Sequence, residues 1–291
     1  MRLIAAAALA AVAGIAAVFF ASCGSAPSAT VRALRDIRHW NSASTVDASL
    51  LDPQDVPPRE DPKVAALMYH NLVFGRTGNE YNRDLYNFEH DLAFLRKRFK
   101  IIDLDELLEV REGRLSLDSD AAVITFDDGD LSMYGIAYPL LREHDIKATF
   151  FIVTDFVGKI GYMNWAQIRE MADYRSKAGE RIFTFGSHGV SHPRMGELDA
   201  ESLWRELVDS KAAIEQNTGH RVDFLALPFG SGAGDPGVAA AAAGAGYRGI
   251  RTSDSAAVLV DRLDPYRIPG IYIDNASTDA VAEKIWRMVG R

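Results

Sequence analysis

"AAVITFDDGD", residues Ala121 to Asp130, decides how the rest of the chain is read. The run Ala121 to Phe126 is apolar apart from one threonine and has the composition of a buried strand. It ends in two adjacent carboxylates, Asp127 and Asp128, followed by Gly129. Like charges repel, and neither carboxylate is buried cheaply unless paired or bound to a metal. Two readings fit this stretch alone. In one, Asp-Gly is a turn at a polar strand end. In the other, one carboxylate ligates an ion and its neighbour does acid–base chemistry.

Outward from this strand, short β-type runs alternate with helical patterns. Strands are predicted at "VAALMY" (64–69), "FKIID", "ATFFIV", "IFTFG", "FLAL", "YRGIRT" and "RIPGIYI". Between them lie helical patterns such as "FEHDLAFLRKR" (88–98), "GIAYPLLREH", "DAESLWRELVDSKAAIEQNTG" and "STDAVAEKIWRMV". "NWAQIREMADYRSKAG" reads as a helix with Asn164 as N-cap, Gln167 completing a capping box and Gly179 as its stop. Pro139 is expected in the first turn of its helix or at a kink. Such alternation implies a parallel sheet with helices outside it. Roughly seven or eight units favour a closed or nearly closed barrel, whose chemistry sits where strands end and loops begin. Asp127, Asp128, His70, His188 and Pro228 all follow predicted strands.

The second informative stretch is "FGSHGVSHPRM", with His188 and His192 four residues apart just past a strand. Taken alone, these are two polar loop histidines, or a ligand pair brought together by a helix face or a tight turn. The strand-end pair Asp127 and Asp128 makes the second reading the better one. Two imidazoles and a carboxylate form a three-ligand set that leaves positions open for water, the layout of a catalytic zinc. The other carboxylate is then free to act as a base.

The chain has 291 residues, 48% of them hydrophobic, enough for a sizeable core without disulfides. Its formal net charge of -8 argues against a nucleic-acid binder, which needs a basic face. The first segment is not part of the fold. Met1-Arg2 precedes an Ala-rich apolar run, Leu3 to Phe20, and then "FASCGS" with Cys23, the one cysteine of the chain. This arrangement resembles the lipobox of bacterial lipoproteins, with a plain signal peptide or an uncleaved anchor as the alternatives. The expected organisation is a signal peptide over 1–22, a flexible tether over 23–62 and a catalytic domain over 63–291. Lipidation at Cys23 places the domain outside the cytoplasm, anchored at the cell envelope.

"TFDDG", "SHGVSH" and "LPFG", in that order and after those strands, resemble the metal-dependent polysaccharide deacetylases, the NodB-homology group or carbohydrate esterase family 4. The resemblance covers about Val64 to Met288. It implies an α/β fold, a distorted (β/α)7-type barrel of parallel strands forming a single catalytic domain. It implies Asp127 as general base, with Asp128, His188 and His192 as ligands of a divalent metal. Zinc is the first expectation; the same donors accept cobalt, nickel or iron. The backbone N–H of Phe229, after Pro228, is the candidate oxyanion donor. Tyr162, Trp165 and Phe229 are candidates for stacking on sugar rings, and Trp165 reads equally well as a core residue at its helix start.

Two departures from the family pattern stand out. Its third motif carries an arginine that orients the base, and Ala226 occupies that position in "ALPFG". Arg251 and Arg267 are the candidates to replace it, although each taken singly reads as a surface arginine. The family's general-acid histidine lies late in the chain, and here no histidine follows His220. His70, in "LMYHNL", is the remaining histidine on the catalytic side and is the candidate acid, with a strand-end structural role as its alternative. This N-terminal strand and the altered third motif most resemble the poly-β-1,6-N-acetylglucosamine deacetylase subgroup. The implied substrate is an N-acetylated extracellular polysaccharide. Chitin, peptidoglycan, a small amide, or sugar binding without catalysis are the competing readings. No nucleic-acid or obligate protein partner is expected, nor a second hydrolase domain.

Overall fold

The computed structural model describes residues 46–75 and 78–290. Cys23, the signal segment and the first part of the expected tether lie outside them. Among the described residues eleven strands are formed: β1 Lys63–Tyr69, β2 Asn71–Val73, β3 Asn82–Asp84, β4 Lys100–Ile101, β5 Ala121–Phe126, β6 Ala148–Ile152, β7 Phe183–Ser187, β8 Phe224–Ala226, β9 Gly249–Thr252, β10 Val258–Leu259 and β11 Ile268–Tyr272. The α-helices are α1 Leu85–Arg98, α2 Leu104–Arg111, α3 Tyr138–Glu143, α4 Trp165–Asp173, α5 Ala200–Thr218, α6 Pro236–Gly244 and α7 Thr278–Val289.

Seven strands pair in parallel in the order β1-β11-β9-β8-β7-β6-β5, and β5 pairs back to β1. The sheet is therefore a closed barrel, as the strand–helix alternation implies. β4 extends β5 in parallel, and β10 lies antiparallel on β1. The small parallel pair of β2 and β3 lies outside the barrel sheet, and nothing in the sequence pattern announces it.

Side chains on a strand alternate between faces, and two hydrophobic clusters record this. Ala65, Leu67, Ile124, Phe126, Phe150 and Ile152 pack outward under the helices. Val64, Ala66, Ala121, Val123, Phe151, Phe224 and Ala226 form the other cluster, inside the barrel. Phe126 stacks on Phe150 at 5.1 Å and Phe150 on Phe185 at 5.5 Å in the outer layer. Each fully buried phenylalanine contributes roughly 1.5–3 kcal/mol. The inward parity continues past the strand ends, so the residue after Phe126 points toward the barrel mouth.

Three expectations need correcting. Residues 46–62 are not a free tether. Leu51 is buried against the core, the Arg96 Nε donates to its carbonyl at 2.9 Å, and the Arg59 N–H donates to the Asp118 carbonyl at 2.7 Å. One apolar anchor without periodicity is invisible to pattern reading. Helix α4 stops at Asp173 rather than Gly179, because Tyr174 leaves the helix to pack on Tyr138 and Phe183. Helix α1 starts three residues before the expected Phe88, capped by the Asp84 side chain. Pro139 sits in the first turn of α3, after a wide π-type turn at Met133–Ala137. Among the described residues no helix is long and apolar enough to cross a membrane.

Candidate metal centre

Asp127 continues the inward parity of β5 and is 2% exposed. Asp128 does not follow: its φ of 76° turns the chain into the left-handed region. The two neighbouring carboxylates thus point to different places. His192 (φ 65°) and Phe229 (φ 58°) share this conformation. Each such residue costs about 1 kcal/mol or more unless its surroundings hold it there. Three of the five non-glycine residues with positive φ among those described therefore gather at one end of the barrel.

That strain brings three donors together. His188 Nε2 lies 3.2 Å from His192 Nε2, His192 Nε2 is 3.3 Å from Asp128 Oδ1, and His188 Nε2 is 3.5 Å from the same oxygen. A tetrahedral ion with bonds of about 2.0–2.1 Å separates its ligands by roughly 3.3 Å. The triangle matches one face of that tetrahedron, so the residues fit a divalent metal. The histidine pair converges through a turn over Gly189 to Ser191, without a helix.

The tautomer of His188 suits a ligand. Its Nδ1–H donates to the Ala226 carbonyl at 2.9 Å, which leaves the Nε2 lone pair facing the triangle. Burial pushes the His188 imidazole pKa down, against the pull of Asp127 and Asp128, and favours the neutral ring. Burial pushes the Asp128 carboxyl up. The His192 hydrogen bond, with the neighbouring imidazoles, outweighs this and holds the group at about 2.

An arginine from another strand reaches Asp127. Arg251 on β9 is fully buried, and its Nη2 donates to Asp127 Oδ2. Its Nη1 contacts Met68 Sδ at 2.8 Å and its guanidinium lies 5.3 Å from the Phe151 ring centroid. Gly270 makes room for it, since a Cβ there would lie 2.7 Å from Arg251 Cδ. The surface reading of Arg251 is thus overturned. Arg267 is the surface arginine, paired with Asp254 at 2.8 Å. Asp127 Oδ1 is buried with no hydrogen-bond partner among the described residues. One oxygen of this carboxylate is held, and the other is open.

His70 stands at the end of β1, edge-on to Tyr81 at 5.2 Å and to Tyr272 at 5.5 Å. Its Nδ1 is buried with no partner among the described residues. On the other side of the donors, Phe229 is 61% exposed, with its ring 4.6 Å from His192 and the Arg194 guanidinium 4.9 Å from its centroid. Pro228 is buried beside it. Tyr162 packs on Phe156 at 4.7 Å, and Phe156 lies 6.1 Å from His192. Trp165 is not brought to the donors. As the first residue of α4 it packs partly buried on the main core, so its role is structural. Tyr81 and Tyr272, which flank His70, belong to no motif of the sequence. Tyr272 was findable as a strand-end residue in register with Met68; Tyr81, in an irregular loop, carried no periodic signal.

Residues 115–250 match the model of the polysaccharide deacetylase family. The polysaccharide deacetylase YxkH of Bacillus subtilis, itself named as putative, is 26% identical over 174 residues, which span 58% of this chain and 57% of that protein. The poly-β-1,6-N-acetyl-D-glucosamine N-deacetylase of Staphylococcus aureus is 26% identical over 216 residues, spanning 64% of this chain and 73% of its own. The fold is that of the Streptococcus pyogenes deacetylase PplD, solved with acetate: TM-score 0.67, 20% identity, over 77% of this chain and 99% of that one. The matched segment runs from before β5 into β9, so the part of the barrel that carries Asp127, Asp128, His188 and His192 is the part similar to the polysaccharide deacetylase family.

Proposed function

We propose that this chain is a metal-dependent N-deacetylase of an extracellular N-acetylglucosamine polymer, with the β-1,6-linked polymer as first choice. The observation that carries the reading is the donor triangle, with edges of 3.2, 3.3 and 3.5 Å, beside a carboxylate held on one oxygen and open on the other. The Staphylococcus aureus relative supports the choice of polymer.

In this reading Asp128, His188 and His192 hold the ion, zinc in the first instance. When bound, a divalent ion supplies Lewis acidity and lowers the pKa of water to near 7. Asp127 Oδ1 takes the proton of the attacking water as its oxygen bonds to the acetyl carbon. Arg251 holds Asp127 Oδ2, so the open oxygen keeps one orientation. The Phe229 N–H donates to the oxyanion. His70 protonates the departing amine as the C–N bond breaks, leaving acetate and a free amino sugar. Phe229 and Tyr162 offer ring faces to the glycan. Cys23 lipidation anchors the domain outside the cytoplasmic membrane.

Acetate release from β-1,6 oligomers, β-1,4 chitin oligomers and peptidoglycan, with and without chelator, tests the reading. Chelator-sensitive release greatest on β-1,6 oligomers is expected; no release from any glycan would leave only a sugar-binding role. His70→Ala should lower turnover about 10²–10⁴-fold with metal content unchanged. A loss under about threefold would return His70 to a structural role. Mass spectrometry of membrane-isolated protein should find Cys23 lipidated.

A further inference from the structure

The turn that joins the two histidines is held from outside itself. Gly189 (φ 82°) and His192 (φ 65°) are both left-handed, so no helical ladder supports the segment. Two of its carbonyls are taken by the loop after β6: the Thr154 N–H donates to Gly189 O at 3.2 Å and the Asp155 N–H to Val190 O at 2.9 Å. Its N–H groups turn the other way, toward α5. There Glu206 Oε2 accepts from the Val190 N–H at 2.6 Å and from the Ser191 N–H at 3.0 Å. Glu206 Oε1 accepts from the Ser191 hydroxyl at 2.6 Å.

Successive backbone N–H groups form a concavity that suits an anion, and bonds to an ionised acceptor are about twice as strong as neutral ones. Position 189 shows how closely the carboxylate is seated. A Cβ on Gly189 would lie 2.9 Å from Glu206 Oε2. Any larger residue there displaces the carboxylate, besides being strained at that φ.

We propose that Glu206 is a positioning residue of the metal centre. It acts through the turn: it fixes the conformation in which His192 Nε2 meets His188 Nε2 at 3.2 Å. This rests on the metal reading above and adds to it a residue outside the donor set. Without the clamp the turn relaxes, His192 leaves its left-handed conformation, and the triangle has to be rebuilt each time an ion binds. Loss of such an outer partner weakens metal affinity by about 10–100-fold. A residue that only tied α5 to β7 would instead lower the stability of the metal-free protein and leave affinity alone.

The test is zinc affinity of the full chain by competition with a chromogenic chelator, with thermal unfolding of the metal-free protein beside it. Glu206→Ala is expected to weaken zinc about 10–100-fold. Glu206→Gln, with one acceptor oxygen left, should fall between it and wild type. Ser191→Ala removes one bond and should weaken zinc roughly two- to tenfold. Glu201→Gln, on the same helix, should match wild type. At saturating zinc the turnover of Glu206→Gln should return to within about threefold of wild type. Should Glu206→Ala fail to fold, Glu206→Gln and Ser191→Ala carry the comparison. Affinities of both within about twofold of wild type overturn the proposal. Wild-type protein that binds no zinc overturns the metal reading, and this inference with it.

Discussion

Among the described residues two arginine–aspartate pairs are buried, and they are built to opposite ends. Arg83 and Asp91 are 1% and 2% exposed. Arg83 Nε and Nη2 both bond Asp91, and its Nη1 reaches the carbonyls of Asp274 and Ala276. Asp91 also accepts from the Tyr69 hydroxyl at 3.2 Å and the Thr278 hydroxyl at 3.1 Å. Arg251 and Asp127 are as deeply buried, at 0% and 3%. Yet Arg251 Nε and Asp127 Oδ1 have no hydrogen-bond partner among the described residues. A buried ion pair holds a fold well only when its remaining hydrogen-bonding capacity is met. The first pair meets it and ties β3, α1 and the loop before α7 together. The second leaves Asp127 Oδ1 without a partner, while Oδ2 lies 3.7 Å from His188 Nε2.

The largest expected effect tests the open pair. Asp127→Asn should lower turnover about 10²–10⁴-fold while metal content stays at the wild-type level, because a base is lost and no ligand is. Near-full turnover would break the comparison at its centre. The closed pair should respond in the other currency. Arg83→Met should destabilise the fold by about 3–5 kcal/mol in urea unfolding, since it strands the Asp91 charge. The protein that remains folded should turn over within about threefold of wild type. A kinetic defect with unchanged stability would show that this pair, too, serves the chemistry.

Removing the metal sharpens the contrast further. At a free zinc concentration of 100 times Kd, the ion should add about 2.7 kcal/mol of stability, seen as a fall in Tm on chelation. Arg83→Met should keep that increment in full, because its network lies apart from the donors. Arg251→Lys should have the smallest effect. It keeps a charge near Asp127 but loses the planar fork, so turnover should fall roughly tenfold with zinc affinity unchanged. Equal losses of affinity and turnover would place Arg251 among the residues that hold the metal.

Local pattern sufficed for a good part of this. The alternation of apolar strands with helical segments implies the parallel barrel, because each buried strand needs a helix to cover it. Asp127, Asp128, His188 and His192 were legible because strand ends in such a barrel face one mouth, so residues far apart in the chain converge there. The capping box of α4 follows from side-chain and backbone spacing within a single turn. Legibility ended wherever the deciding contact was long-range and carried no period. Leu51 stands beside an exposed Leu50 with no period to tell the two apart, and only packing against the core makes it part of the domain. Arg251 looked like a surface residue because composition does not reveal that Gly270 on the neighbouring strand opens space for a guanidinium. The separation of Asp127 from Asp128 depends on one left-handed residue, and the joining of His188 to His192 on a turn that a helix 16 residues away from Val190 holds in place. Local patterning along each strand is enough to tell which chemical groups reach the mouth of the barrel, since side-chain alternation is set within the strand. Tertiary structure alone decided which of them are paired, open or strained, since those states depend on neighbours contributed by distant strands.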